Sequence, residues 1–139
     1  MDDEILQDFL VEAQEILDNL DSQLIALEGA PDDHGLLNAA FRSFHTIKGG
    51  AGFLALDALV EVAHKAEDVF DQLRSGKLRI TASIMDVFLR VLDTLREMFE
   101  TIKGGNPPNP AEPELLDDLR RIAAGENLDE APVAAAVER

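Results

Sequence analysis

The sequence predicts an all-α fold, an antiparallel four-helix bundle with a short fifth helix on its C-terminal side. Apolar residues recur every three or four positions over most of the first hundred residues, which is the helical period. No segment shows a convincing strand pattern, and short connections rich in glycine or proline separate the periodic segments. The length of 139 residues fits one domain, and a hydrophobic content of 46% predicts a packed core.

The first two predicted helices are defined by their ends and by apolar residues that recur every three or four positions. The first begins among the acidic residues at the N-terminus, which favour a helix start, and ends at Gly29 and Pro31. Its apolar positions are Leu6, Phe9, Ala13, Leu17, Leu20, Leu24 and Leu27. The second runs from about residue 33 to about residue 52. Its apolar positions are Leu37, Ala40, Phe41, Phe44, Ile47 and Ala51.

Three further helices are predicted from capping residues and glycine stops. The third starts with Asp57 as a plausible N-cap and ends at Gly76, and residues 77–80 form a connector. Thr81 caps the fourth, which ends at residues 104–105. A proline-rich linker then leads to a short helix ended by Gly125. We therefore expect a bundle over residues 1–104, a linker and accessory helix over 105–125, and a flexible tail over 126–139 that leads to a missing downstream domain.

Charge and composition exclude several classes of function. The 28 acidic and 12 basic residues give a net charge of -16, which disfavours nucleic acids and anionic membrane surfaces as partners. The absence of cysteine excludes disulfides and thiolate chemistry. No apolar run approaches the roughly 18 residues of a membrane span, and the acidic N-terminus is unlike a secretory signal. We expect a cytoplasmic protein without membrane insertion.

Residues 36–56 contain no Asp or Glu, although the average frequency of the chain predicts about four. Their only charged side chains are Arg42 and Lys48, and His45 lies at the centre. A helical projection puts His45 on the margin of the apolar arc, packed on one side and solvated on the other. Gly49 and Gly52 follow it along the same face. Because each helical glycine costs roughly 1 kcal/mol, we expect a compensating use, such as close approach of another protein's backbone.

Residues 41–52, with the pattern F-R-x-x-H-T-I-K-G-G-A-G, resemble the phosphoacceptor motif of histidine phosphotransfer (HPt) domains. The likeness is greatest to the P1 domain of CheA-type chemotaxis histidine kinases and covers about residues 3 to 125. A second signature also matches, in the order His64-x-x-Glu67 and then Leu73-Arg74-Ser75-Gly76. The P1 domains of that family have an all-α bundle fold, in agreement with the helical pattern.

The resemblance implies that His45 is the phosphoacceptor of a two-component signalling pathway. It would take a phosphoryl group from ATP through a separate kinase domain, and pass it to an aspartate of a CheY- or CheB-type receiver domain. An unperturbed imidazole, with a pKa near 6.5, has a free ring nitrogen at neutral pH. The chain would thus be the phosphotransfer segment of a sensor kinase, without an ATP site. ATP and Mg²⁺ would belong to the kinase domain, and this domain itself would need no cofactor or metal.

The resemblance also implies roles for the neighbours of this histidine. Glu67 would accept a hydrogen bond from one ring nitrogen, His64 would complete the polar cluster, and Lys48 would lie beside the phosphoryl group. Gly49 and Gly52 would give partners access. Helical periodicity alone puts Glu67 at the edge of its apolar arc and His64 nearly opposite the centre, which favours solvated side chains for both. The isolated domain is expected to be a monomer.

Two alternatives remain open at the level of sequence. A non-catalytic acidic adaptor that binds partner helices would explain the bundle and the charge, but not an acid-free histidine flanked by glycines. A di-iron bundle is suggested by Glu61-x-x-His64, but such sites need a second Glu-x-x-His and two further glutamates. Neither His34 nor His45 has a glutamate three residues before it.

Overall fold

The computed structural model describes residues 3–128, which form five α-helices and, within this range, no strand. The helices are α1 (Asp3–Gly29), α2 (His34–Phe53), α3 (Asp57–Arg74), α4 (Ala82–Lys103) and α5 (Pro113–Ala123). Both α1 and α3 pack against α2 and α4, which closes the four long helices into an antiparallel bundle, and α5 lies against α3 and α4. The predicted fold class is confirmed. No helix of the described part is long and apolar enough to cross a membrane.

The bundle is held together by one continuous apolar core. At its centre, the rings of Phe44, Phe70 and Phe88 pack with centroids between 4.7 and 5.9 Å apart. Phe44, Phe70 and Phe88 are at most 1% exposed, so each contributes the full burial of an aromatic side chain. Phe41, which the periodicity assigned to the core, is only partly buried at the edge of this cluster. Its position becomes important at the functional site.

Most predicted helix ends are confirmed by their hydrogen bonds. The side chain of Asp33 accepts from the backbone N–H of Leu36 at 3.1 Å, and Thr81 accepts from Ile84 at 3.2 Å. The prediction of Asp57 as an N-cap is wrong, because Asp57 is already the first helical residue of α3. The cap position is taken by Leu56, whose apolar side chain is drawn into the core and makes no capping hydrogen bond.

The turn between α2 and α3 is short and ends α2 without a glycine. Ala55 adopts a left-handed conformation with φ of 57°. Its N–H donates to the carbonyl of Gly52 at 3.1 Å, and the N–H of Leu56 donates to the carbonyl of Ala51 at 2.9 Å. This tight reversal sets α3 antiparallel to α2, and so brings positions at similar distances from the turn side by side.

The C-terminal part agrees with the predicted order of linker and short helix. Pro113 is the first residue of α5, and Gly125 follows the helix with φ of 85°. Leu128 still packs against the core. Residues 129–139 of the predicted tail lie outside the described residues. The division into three regions stays a prediction.

Candidate functional site

The site lies on the outer surface of α2 and α3, where a buried carboxylate joins two side chains of α2. Nδ1 of His45 is 2.5 Å from Oε2 of Glu67, and Nζ of Lys48 donates to Oε1 at 2.6 Å. Glu67 has a 9% exposed side chain and is the one buried charged residue in the described part of the chain, whereas the His45 side chain is 64% exposed. One carboxylate thus holds both α2 side chains, and leaves the imidazole open to solvent.

The ionisation of Glu67 determines the tautomer of the His45 imidazole. Burial acts to raise the pKa of Glu67, but the hydrogen bonds and charges of Lys48 and His45 outweigh it, so the pKa lies below its ordinary value of 4.5. An ionised carboxylate can only accept hydrogen bonds, and therefore Nδ1 of His45 must be the donor. In the neutral ring the lone pair is then on Nε2, which becomes the nucleophilic nitrogen.

The structure corrects the interpretation from periodicity for Glu67 and confirms it for His64. Glu67 is buried because the neighbouring face of α2 supplies it with two partners instead of water. The side chain of His64 is 56% exposed, and its Nε2 lies 3.6 Å from Oδ1 of Asp68. Among residues 3–128, no hydrogen bond joins His64 to His45. A role for His64 in the cluster therefore stays a prediction.

The three glycines after His45 have different surroundings. A Cβ added at Gly49 or Gly52 would meet nothing within 4 Å, which leaves the surface beside the imidazole bare. A Cβ at Gly50 would lie 2.6 Å from Cε1 of Phe9, closer than real side chains approach. Gly50 therefore gives the Phe9 ring of α1 room to pack against α2, while the other two glycines leave room for an approaching molecule.

Two residues near the site, Phe41 beside the imidazole and Arg74 beside Phe41, were not singled out as site residues from the sequence. The ring of Phe41 lies 6.2 Å from that of His45 between centroids, with 13° between their planes. The guanidinium carbon of Arg74 lies 3.8 Å from the centroid of the Phe41 ring. The spacing of four residues on one helix could have indicated Phe41. Arg74 belongs to the second signature but lies on another helix, so only the register of α2 against α3 reveals its contact with Phe41.

The di-iron alternative gains no support from the geometry. Among the described residues, His64, Glu67 and Asp68 offer possible ligand atoms within 4.8 Å of one another. Both oxygens of Glu67 are already engaged by side chains of α2. This group contains neither Glu61 nor the second Glu-x-x-His that a di-iron site requires.

Comparison with known proteins identifies the family of this chain. The model of the Hpt domain family matches residues 4–105. The chain belongs to the Hpt domain family. It is 42% identical over 137 residues to the sensor histidine kinase CheAY of Helicobacter pylori, over 94% of this chain and 17% of that protein. The chain thus spans less than a fifth of the length of this curated relative.

Two solved structures of related domains have the same fold. The CheA phosphotransferase domain from Thermotoga maritima is 34% identical with a TM-score of 0.69, over 71% of this chain and 94% of that one. The phosphorylated P1 domain of CheA3 in complex with CheY6 from R. sphaeroides is 28% identical with a TM-score of 0.78. That comparison covers 91% of this chain and all of the other.

Proposed function

We propose that this chain is a phosphoryl carrier in chemotaxis signalling, with His45 as the phosphoacceptor and Nε2 as the reacting atom. The observation that carries the proposal is the hydrogen bond from Nδ1 to the buried carboxylate of Glu67, beside an imidazole that is 64% exposed. This arrangement holds the inner nitrogen protonated and presents the outer one to solvent. A histidine with only a packing role would not need a buried, ionised acceptor.

In the first step, the lone pair of Nε2 attacks the γ-phosphorus of ATP held by a separate kinase domain. The bond from phosphorus to the bridging oxygen breaks, and ADP leaves with that electron pair. The phosphorylated ring still carries the proton on Nδ1 and is positively charged. The carboxylate of Glu67 faces this proton and stabilises the charge as it develops.

In the second step, a carboxylate oxygen of a receiver aspartate attacks the phosphorus. The phosphorus–nitrogen bond breaks and its electron pair returns to Nε2, which regenerates the neutral ring. The proton on Nδ1 stays in place throughout, so neither step requires a proton transfer at His45. Glu67 therefore acts through the imidazole, as the residue that sets its tautomer and orientation.

The surroundings of His45 suit a group with about two negative charges. The net charge of the chain is -16, yet residues 36–56 contain no acid. Lys48 offsets the charge of Glu67, so the carboxylate does not repel the phosphoryl group as an unpaired anion would. The prediction that Lys48 lies beside the phosphoryl group stays a proposal, because in the unphosphorylated structure its ammonium is bound to Glu67.

The proposed partners are a CheA-type kinase domain, which would use ATP and Mg²⁺, and receiver domains of the CheY or CheB type. Support comes from the relatives named CheA and CheAY and from the solved complex of a P1 domain with CheY6. The open surface at Gly49 and Gly52 would admit them. The chain would act as the phosphotransferase segment of a kinase. The monomeric state and the cytoplasmic location stay predictions.

A labelling experiment tests the proposal. The purified chain is incubated with the kinase domain of a CheA relative and γ-labelled ATP, and a receiver domain is then added. We expect acid-labile label on the wild type, its transfer to the receiver, and none on His45→Gln. His34→Gln, which changes an exposed histidine at the start of α2, should be labelled like the wild type. A wild type that remains unlabelled would favour the adaptor alternative.

A further inference from the structure

Among residues 3–128, the imidazole of His45 has one hydrogen-bond partner, Glu67, and 64% of the His45 side chain is exposed. The hydrogen bond from Nδ1 to Oε2 of Glu67 fixes which nitrogen carries the proton. The ring can still rotate about the line that joins these two atoms. The direction of the Nε2 lone pair depends on the plane of the ring. A second contact is therefore needed to aim this nitrogen.

Phe41 supplies such a contact. It lies one turn before His45 on α2, and its ring is almost parallel to the imidazole, with 13° between the planes and 6.2 Å between centroids. Parallel rings on one helix face restrict each other's rotation because a swing of either ring brings its edge into the other. Phe41 is itself only partly buried, so the core alone does not fix it.

Arg74 holds the Phe41 ring from the neighbouring helix. Its guanidinium carbon lies 3.8 Å from the ring centroid, well within the range of a cation–π contact. The guanidinium also pairs with Asp71 on the same helix, with Nε and Nη2 each 3.0 Å from Oδ1. Asp71, Arg74 and Phe41 thus form a chain of contacts that runs from α3 to the face of the imidazole.

We propose that Phe41 and Arg74 are positioning residues that fix the plane of the His45 ring and so aim Nε2 at the incoming phosphorus. This inference rests on the proposed phosphoacceptor function and extends it to two residues. The carboxylate of Glu67 selects the nitrogen, and the stack selects its direction. Phosphoryl transfer depends mainly on positioning and electrostatics, and therefore a looser ring reacts more slowly.

The test uses a small phosphodonor, so that partner docking does not enter. Phosphoramidate transfers its phosphoryl group to Nε2 with loss of ammonia, and the rate of phosphohistidine formation is followed by NMR. From the usual strength of aromatic pairs and cation–π contacts, we expect Phe41→Leu to slow the reaction about three- to tenfold and Arg74→Met about two- to fivefold. The ring resonances of His45 should broaden or shift in both variants.

Rescue variants distinguish positioning from general stability. Phe41→Tyr keeps the ring face and should react within twofold of the wild type, while Arg74→Lys keeps the cation and should fall between wild type and Arg74→Met. Arg79→Met removes an exposed arginine that pairs with Asp32 and should change nothing. Melting temperatures identify any variant that loses its fold.

Two outcomes would overturn the inference. One is a folded Phe41→Leu variant that reacts at the wild-type rate with unchanged His45 resonances. The other is Phe41→Tyr reacting as slowly as Phe41→Leu, since the ring face would then be irrelevant. In both cases the wild type is still phosphorylated on His45. A wild type that does not form phosphohistidine, or forms it equally in His45→Gln, would instead refute the proposed function.

Discussion

Removal of the Glu67 carboxylate should slow phosphorylation of His45 without unfolding the bundle. The carboxylate accepts from Nδ1 at 2.5 Å and from Lys48 at 2.6 Å, and it faces the proton of a ring that becomes positive during the reaction. Two variants separate the effect of the negative charge of Glu67 from the effect of its hydrogen-bond acceptor. Glu67→Gln keeps an oxygen that can accept a hydrogen bond, whereas Glu67→Ala removes the acceptor entirely.

The size of the effect follows from the strength of these bonds. A hydrogen bond to a charged acceptor is worth about 1.5–3 kcal/mol and a neutral one about 0.5–1.5 kcal/mol. With about 1.4 kcal/mol for each factor of ten in rate, Glu67→Ala should lose roughly 10- to 150-fold. Glu67→Gln replaces the charged acceptor by a neutral one, a difference of about 1–1.5 kcal/mol, and should lose roughly 5- to 12-fold. Both variants leave Lys48, whose side chain is 26% exposed, without its anionic partner, but the lysine can turn towards water.

The assay is single-turnover labelling by a CheA-type kinase domain, together with the phosphoramidate reaction. Glu61→Ala is the matched control, since Glu61 is an exposed glutamate on the same helix. Receiver docking, followed by NMR shifts of the chain, should be unchanged in the Glu67 variants. Wild-type transfer kinetics for folded Glu67→Ala would refute the orienting role, and equal losses for Glu61→Ala would show that only general charge matters.

Three further predictions concern the stability of the folded chain. Ala55→Gly should raise the free energy of unfolding by about 1 kcal/mol in urea denaturation, because only glycine adopts φ of 57° without cost; a lower stability would contradict this. Gly49→Ala should stabilise α2 by up to about 1 kcal/mol, because its Cβ would meet nothing within 4 Å. Gly50→Ala should destabilise it by about 1 kcal/mol or more, because its Cβ would meet Phe9 at 2.6 Å. Similar melting temperatures for the two variants would disprove this packing argument. The lowered pKa of Glu67 contributes stability that is present above its ordinary value of 4.5 and is lost as the pH falls through the lower folded value. The stability advantage of the wild type over Glu67→Gln should therefore shrink in unfolding experiments below about pH 4.5, and a constant difference down to pH 3 would contradict the shift.

The architecture was predictable because its signals are local. The helical period assigned the core positions of α2, and all of them except Phe41 are buried. Thr81 and Gly76 mark helix ends through their own side chain or backbone freedom, and both predictions hold. Asp57 is not the N-cap because Leu56, whose side chain is buried in the core, takes the cap position. The burial of Leu56 depends on contacts with other helices, which cannot be predicted from the residues next to it in the sequence.

The candidate site was predictable only in part. The missing acids and nearby glycines drew attention to His45, but its role as phosphoacceptor came from the resemblance to the HPt motif. Glu67 appeared solvated from its own helix, because the two groups that bury it belong to α2. Arg74 reaches the ring of Phe41 because of the antiparallel register of α2 and α3, which the periodicity of a single helix does not contain. Contacts between helices are thus where the structure adds most to the sequence.

The most direct test of the account is the position of the phosphoryl group on the ring of His45. The chain, labelled with ¹⁵N and phosphorylated, is studied by NMR to find which ring nitrogen is coupled to phosphorus. The account predicts coupling to Nε2, with a proton retained on Nδ1 beside Glu67. A phosphoryl group on Nδ1, or on another residue while His45 stays free, would contradict it.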